Sequence, residues 1–387
     1  MTVGMRALVG TVITPEIVCE RGVVLIEGGT IMQVGRIGDV QVPAGCEVLS
    51  EGGFVIPGLI DLHCHGTRLH DVLAGTDESL AAMALSQARA GVTGFLPTIA
   101  TAPWAAMVRA VEAVGRLRDA DTGGARILGA HVEGPFLSKS YPGALSPACF
   151  LEPTMDRVRE LMAAGAGAVR MMTLAPELPG ALNVIQCLCW EQIVPAMGHT
   201  AATFDEAMAA VEAGCRYAIH SFNGMRGLDG REPAAIGATL FDDRVTAELL
   251  CDCVHVHPAV MKILIQSKPG RTCLATDLIQ AKRYLPADYG TAYAGEAYLS
   301  NNTAFLDQAV RNVVNFLDVP LAEAVAMASL VPARIIGLGD RKGSLAPGKD
   351  ADLVVLDENY YPTLTVIGGE PVFRAFARVS QTRSTGE

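Results

Sequence analysis

Histidine, glutamate and aspartate recur in this chain where they could hold a metal and move a proton. In DLHCHG, His63 and His65 stand one residue apart. On a strand, residues two apart point to the same face, so the two imidazoles share one side and Cys64 takes the other. That geometry suits a metal ion and equally suits buried histidines with satisfied hydrogen bonds, so the pair alone decides nothing. Further along, Glu133 in AHVEGP, His199 in AMGHT and His220 in AIHSFN each end an apolar run. One carboxylate and two neutral imidazoles make a three-ligand set for a catalytic divalent ion, leaving one position open for water. A bound ion lowers the pKa of its water from ~15.7 toward ~7, which gives hydroxide at neutral pH. The alternative is that the three form a hydrogen-bonded polar core. Asp277, in LATD, suits a general base that becomes a general acid, or, standing alone, a helix cap.

Residues that could hold a polar substrate lie nearby in sequence. Arg231, in the stretch NGMRGLDGREP, offers a planar cationic fork for phosphate or carboxylate, and would serve a loop salt bridge as well. Asn223 and Gly224 supply side-chain and backbone groups. His255 suits either a ligand contact or a satisfied core histidine.

Positioning these groups is the task of eight apolar runs, ending in DLHCH, GFLPTIAT, LGAHVEG, VRMMTLAPE, IVPAMGH, YAIHSFN, LLCDCVH and CLATD. They alternate with Ala-rich amphipathic stretches such as DESLAAMALSQARAG and FDEAMAAVEAG, the pattern of repeated βα units around a parallel sheet. Eight such units predict a (β/α)8 barrel, whose active site forms where the strands end. Of the eight histidines, all but His70 lie at or just past such an end, as scattered core or surface histidines would not. A doubly wound open sheet is the runner-up, but no Gly-rich nucleotide fingerprint follows the first strand. The Val/Ile/Gly-rich start and the turn-then-strand GSLAPGKDADLVVLD near the other end predict a small β-sandwich built from both termini. The division expected is 1–55 and 339–387 for the sandwich and tail, and 56–338 for the barrel.

Composition narrows the classes. Among 387 residues, 30 Lys+Arg stand against 41 Asp+Glu, a net charge of −11, and no basic cluster interrupts the acidity. Binding to a nucleic-acid backbone is disfavoured. No uncharged apolar run reaches the ~18–20 residues of a spanning helix, and MTVGMRALVGTVITPE lacks the layout of a signal peptide, so a cytoplasmic protein without membrane association is expected. The ten cysteines, in segments such as CLCW and LLCDC, lack the two-residue gap of zinc or redox motifs and read as buried free thiols.

The motifs PGLIDLHCHG, HVEGPFLS, LAPE, GHTAATFDEA, HSFNGM, GREP, TD and GSLAPGKDADLVVLD, spread over about residues 53 to 357, resemble the amidohydrolase superfamily, specifically the N-acetylglucosamine-6-phosphate deacetylases. The resemblance implies a distorted (β/α)8 barrel with its small β-sandwich, usually in a homodimer. It implies hydrolysis of the N-acetyl amide of an amino sugar to amine and acetate, with metal-bound hydroxide attacking the carbonyl. By motif, Glu133, His199 and His220 bind the principal ion and Asp277 is the acid/base. Zinc is the leading metal, with iron, cobalt and nickel open to the same ligands. Asn223, Gly224, Arg231 and His255 match substrate-contacting positions, Arg231 facing the sugar phosphate. His63 and His65 match positions that bind a second metal in some members, so one or two ions per subunit are expected.

The chain also departs from the family pattern. Leu145, in LSKSYPGALSP, stands where a histidine contacts the acyl group, and leucine can neither donate a hydrogen bond nor carry charge. Losing one such donor typically costs about 100- to 1000-fold in rate. GTRLHDVLAG, FNGM and TDL are further differences near the expected cavity. A related N-acyl substrate, another amidohydrolase chemistry, or a sugar-binding homologue with weakened catalysis are the competing readings. TLAPE lacks the strand-four lysine of many two-metal cyclic-amide hydrolases, and Glu133 is foreign to most deaminases of the superfamily.

Overall fold

Glycine pairs punctuate the β-rich ends of the chain. In the computed structural model, which describes residues 4–14, 18–67, 69–118, 120–279 and 304–375, β1 (Arg6–Ile13), β2 (Val18–Glu27), β3 (Thr30–Arg36) and β4 (Glu47–Pro57) come first. The turn between β2 and β3 is Gly28–Gly29, both at positive φ, as a tight hairpin of right-handed twist requires.

The chain then enters a series of almost wholly buried strands: β5 (Leu59–Cys64), β6 (Val92–Ile99), the short β7 (Arg126–Ile127), β8 (Ala130–Glu133), β9 (Val169–Leu174), β10 (Val194–Met197), β11 (Tyr217–Ala218), β12 (Thr246–Leu250) and β13 (Thr272–Ala275). They pair in parallel in the order β5-β6-β8-β9-β10-β11-β12-β13, with β7 beside β6. Burial on both faces is the mark of a parallel sheet covered by helices. The two ends of this sheet meet: Leu278 bridges to Cys64, its carbonyl accepts the His65 and Gly66 amides at 2.9 Å each, and the Asp277 amide donates to the His63 carbonyl at 2.8 Å. The (β/α)8 barrel predicted from the eight strand endings is therefore the fold.

Helices wrap the outside. Asp77–Arg89 is representative: Thr76 caps its first turn, and Leu80, Met83, Ala84, Gln87 and Ala88 form the buried stripe. Burying a side chain the size of Leu80 or Met83 contributes about 1.5–3 kcal/mol. Inside the barrel, Ile60, Leu62, Leu96, Met171, Ala196, Tyr217, Ile219 and Cys273 form the filling, joined by Val331 and Ala333 of the helix Leu330–Ile335.

The last strands, β14 (Leu353–Leu356), β15 (Pro362–Ile367) and β16 (Glu370–Arg374), return to the N-terminal ones. Together they make one seven-stranded sheet, β16-β15-β14-β4-β1-β2-β3, antiparallel except where β1 runs parallel to β4. β4 ends at Pro57 and β5 begins at Leu59, so this sheet passes straight into the barrel's first strand. The tail from 376 onward lies outside the described residues. Of the ten free cysteines, Cys19, Cys64, Cys215, Cys251 and Cys273 are buried, but Cys189 and Cys253 are exposed and the other three half-buried, so the expectation of buried thiols holds for half of them. Among the described residues, no helix is long and apolar enough to cross a membrane.

Candidate active site

A small irregularity in β5 starts the site. Ile60 and Leu62 face the barrel interior, Asp61 accepts a hydrogen bond from Gln87 of the first helix, and Cys64 joins the outer core. Pairing with β6 shifts between Asp61 and Cys64, so the adjacent Leu62 and His63 both turn inward, and His65 follows His63. A bulge of this kind re-aims side chains beside a functional site. His199, His220 and Asp277 each stand two residues past their strand, with φ of 47°, 29° and 48°. Such left-handed backbone costs on the order of 1–3 kcal/mol per residue and persists where the surroundings enforce it.

All five ligand candidates converge. The Nε2 atoms of His199 and His220 lie 3.2 and 3.4 Å from Glu133 Oε1 and 3.2 Å from each other. His65 Nε2 is 3.4 Å from Glu133 Oε2, and His63 Nε2 is 3.1 Å from His65 Nε2. Two groups, His63/His65/Glu133 and Glu133/His199/His220, each bring one ligand atom per residue within 4.8 Å of one another, with Glu133 common to both. Asp277 Oδ1 stands 3.3 Å from His65 Nε2 and 3.5 Å from His63 Nε2, and its side chain is 23% exposed, the most open of the set.

Every imidazole is held from behind. Nδ1 of His65, His199 and His220 bonds to the carbonyls of Thr98 (3.0 Å), Tyr141 (2.9 Å) and Asn223 (3.0 Å). Nδ1 of His63 bonds to Glu248 Oε1 at 2.8 Å. Carbonyl and carboxylate oxygens accept, so in the neutral ring each proton sits on Nδ1 and the Nε2 lone pair is left for a cation. Burial works against charge on His63, yet Glu248, Asp277 and Glu133 prevail and raise its pKa well above the usual imidazole value. His65 is raised too, against burial, by Glu133 and Asp277. Burial likewise opposes ionisation of Glu133, but His65, His199, His220 and His63 pull it well below the carboxylate range. Asp277 is held below that range, again against burial, by His63 and His65. The cluster favours positive charge at its centre, and its donor atoms fit a divalent cation.

The remaining sequence candidates divide. Asn223 supplies the carbonyl behind His220 and turns its side-chain amide to the Ser221 carbonyl. Gly224, at φ 57°, lies where a Cβ would meet His199 Nδ1 at 3.0 Å and His220 Cε1 at 3.2 Å, so only a glycine closes the loop over both rings without displacement. Arg231 is exposed on the same loop, its amide bonded to Asp229, and does not join the ligand cluster. His255 is half-buried, with Nδ1 2.5 Å from Asp252 Oδ2. Leu145 is 8% exposed and packs with Ala100, Leu137 and Phe150 in a small apolar cluster on loops after the strands. Two other strand-end histidines are structural: His131 bonds to Thr173 and the Leu62 carbonyl, with burial and His63 keeping it neutral, while His257 caps the helix Pro258–Ser267.

Two supporting residues escaped the sequence reading. Glu248, fully buried on β12, reads there as part of an apolar run, TAELL; the charge amid those neighbours was its only signal. Asp61 accepts from the His63 amide and the Thr276 hydroxyl and ties β5 to β13, with burial raising its pKa to about 6.

Known proteins resemble this chain in sequence and in fold. The sequence profile described as Amidohydrolase family matches residues 54–378. An N-acetylgalactosamine-6-phosphate deacetylase of Escherichia coli O157:H7 is 36% identical over 81% of this chain and 86% of its own length. An N-acetylglucosamine-6-phosphate deacetylase of Vibrio furnissii is 33% identical over 83% of each. The crystal structure of N-acetyl-D-glucosamine-6-phosphate deacetylase from Mycobacterium smegmatis superposes with a TM-score of 0.86 at 33% identity, covering 95% of this chain and 100% of that one. A mutant of that enzyme has been solved in complex with N-acetyl-D-glucosamine-6-phosphate.

Proposed function

The chain belongs to the amidohydrolase family, and on that premise we propose that it removes the acetyl group from an N-acetyl amino-sugar phosphate, releasing acetate and the free amine. The observation that carries this reading is the meeting of Glu133, four Nε2 atoms and a partly exposed Asp277 at the C-terminal mouth of the barrel. In this reading Glu133, His199 and His220 hold one divalent ion, and His63, His65 and Glu133 a second. Zinc is the metal expected, with Fe2+, Co2+ and Ni2+ open to the same donors. Such an ion supplies a Lewis acid for the amide carbonyl and lowers the pKa of water toward neutrality.

The chain's own residues move the proton. Asp277, ionised at neutral pH as an aspartate ordinarily is, takes a proton from the attacking water as the oxygen–carbon bond forms. It returns that proton to the nitrogen as the carbon–nitrogen bond breaks, so the leaving group departs as an amine. Arg231 is assigned to the phosphate, Asn223, Gly224 and His255 to the sugar, and Leu145 to the wall beside the acyl group. The catalytic unit is assigned to 56–338, with 1–55 and 339–387 assigned to the β-sandwich and tail, and the protein to a cytoplasmic homodimer.

Relatives named for both the glucosamine and galactosamine epimers leave the substrate to assay. Acetate release is measured from N-acetylglucosamine 6-phosphate, N-acetylgalactosamine 6-phosphate and their unphosphorylated sugars, alongside bound metal and the Asp277→Asn variant. Turnover of a phosphorylated sugar that Asp277→Asn abolishes is expected; metal-free active protein, or turnover indifferent to Asp277→Asn, would sink the mechanism. A second reading, a related N-acyl substrate, is favoured by Leu145 in its apolar cluster; turnover of a longer N-acyl sugar above the acetyl one is its mark.

A further inference from the structure

Glu248 touches both halves of the site without belonging to either ligand group. Its Oε1 accepts from His63 Nδ1 at 2.8 Å and from the His220 backbone amide at 2.9 Å, and its Oε2 accepts from the Tyr217 hydroxyl at 2.9 Å. The side chain is fully buried. We propose that Glu248 is a positioning residue that sets how tightly the ion at His63 is held. The proposal rests on the two-ion reading above.

An ionised carboxylate offers no hydrogen, so all three partners must donate. That requirement puts the His63 proton on Nδ1 and turns the Nε2 lone pair toward Glu133 Oε1, 3.6 Å away. His65, His199 and His220 are held by neutral main-chain carbonyls, whereas His63 is backed by a charged side chain. A carboxylate behind an imidazole raises its basicity as a ligand. The His63 ion therefore depends on Glu248 through charge, while the Glu133/His199/His220 ion depends on it only through the placement of the His220 amide.

Glutamine separates the two dependences. In Glu248→Gln the remaining Oε1 still accepts from His63 and from the His220 amide, and the new amide nitrogen donates to the Tyr217 oxygen, which can accept. The shape stays and the charge goes. Zinc binding is followed by equilibrium dialysis against a buffered chelator, and by the visible spectrum of the Co2+-substituted protein. Wild type is expected to take up two ions, and His63→Ala to lose one, which identifies it. Glu248→Gln is expected to bind that same ion about 10- to 100-fold more weakly, to regain it at raised zinc, and to hold the other ion unchanged. Equal affinity for both ions in Glu248→Gln and wild type would overturn the proposal. So would an equal weakening at both, which would make Glu248 a general support, or a His63→Ala protein that still binds two ions. Acetate release is scored separately: a wild type that binds both ions yet cleaves no N-acetyl sugar removes the assigned reaction, while the dialysis result still judges Glu248.

Discussion

Replacing Gly224 with alanine tests how closely the loop after β11 is pressed onto the two imidazoles. A Cβ there would lie 3.0 Å from His199 Nδ1, 3.1 Å from His199 Cε1 and 3.2 Å from His220 Cε1, all inside ordinary contact distance. The backbone also sits at φ 57°, where an L-residue pays roughly 1–2 kcal/mol. Relief requires the loop to withdraw by a few tenths of an ångström, and the loop carries the Asn223 carbonyl that holds His220 Nδ1 at 3.0 Å. Stretching that bond loosens one ligand and crowding displaces the other. The expected outcome is a stability loss of about 1–3 kcal/mol, at about 2–4 °C of melting temperature per kcal/mol in a large domain, together with about 10- to 100-fold weaker zinc. Gly227, three residues on in the same loop, has open space around its Cβ position and no positive φ, so Gly227→Ala is the matched control and should be neutral. Thermal melts with and without zinc, plus chelator-driven zinc release, compare the two. A Gly224→Ala protein as stable and as zinc-tight as Gly227→Ala would refute the close-packed loop.

Asp277→Asn should keep its metal and lose about 100- to 10,000-fold in kcat, read from acetate release and a zinc count on the same sample. Metal-free protein should show a pH signature. The raised His63 and His65 contribute stability that is complete below the ordinary histidine value of ~6.5 and lost as pH rises through their folded values. The depressed Glu133 and Asp277 contribute stability present above the ordinary carboxylate values of ~4 and lost as pH falls through their folded ones. Its melting temperature should therefore decline above about pH 6.5, and zinc should flatten that decline; a metal-free protein equally stable at pH 6 and 9 would contradict the charge balance. Leu145→His should cost about 1–3 kcal/mol by placing a polar ring in the apolar cluster, and should raise kcat on N-acetylglucosamine 6-phosphate at least tenfold if position 145 borders the acyl group. Loss of both stability and rate would remove Leu145 from the substrate wall.

Much of the barrel was legible because each strand is an apolar run stopped by a polar residue, and the ligand types sorted to those stops. Asp277, His199 and His220 could be placed on that rule alone. What supports them could not. The partners of three imidazoles are the main-chain carbonyls of Thr98, Tyr141 and Asn223, and a carbonyl has no sequence signature. The inward turn of both Leu62 and His63 depends on a register shift with β6, which strict alternation along β5 does not foresee. His131 and His257 also obeyed the strand-end rule, yet one is a neutral core group and the other a helix cap. Position on a strand end says that a side chain reaches the mouth region, not what it meets there.

The pairing of β4 with β14 also bears on how the chain is made. Val55 lies opposite Val355, so the strand that leads into the barrel waits for a partner the ribosome delivers 300 residues later. At roughly 5–20 residues per second that is a delay of roughly 15–60 s. During it β4 has β1 on one side and an open row of amides and carbonyls on the other, the kind of edge that recruits a neighbouring nascent chain. The same pairing that anchors the first barrel strand in the finished protein thus leaves a vulnerable interval during synthesis, in which chaperone cover matters most.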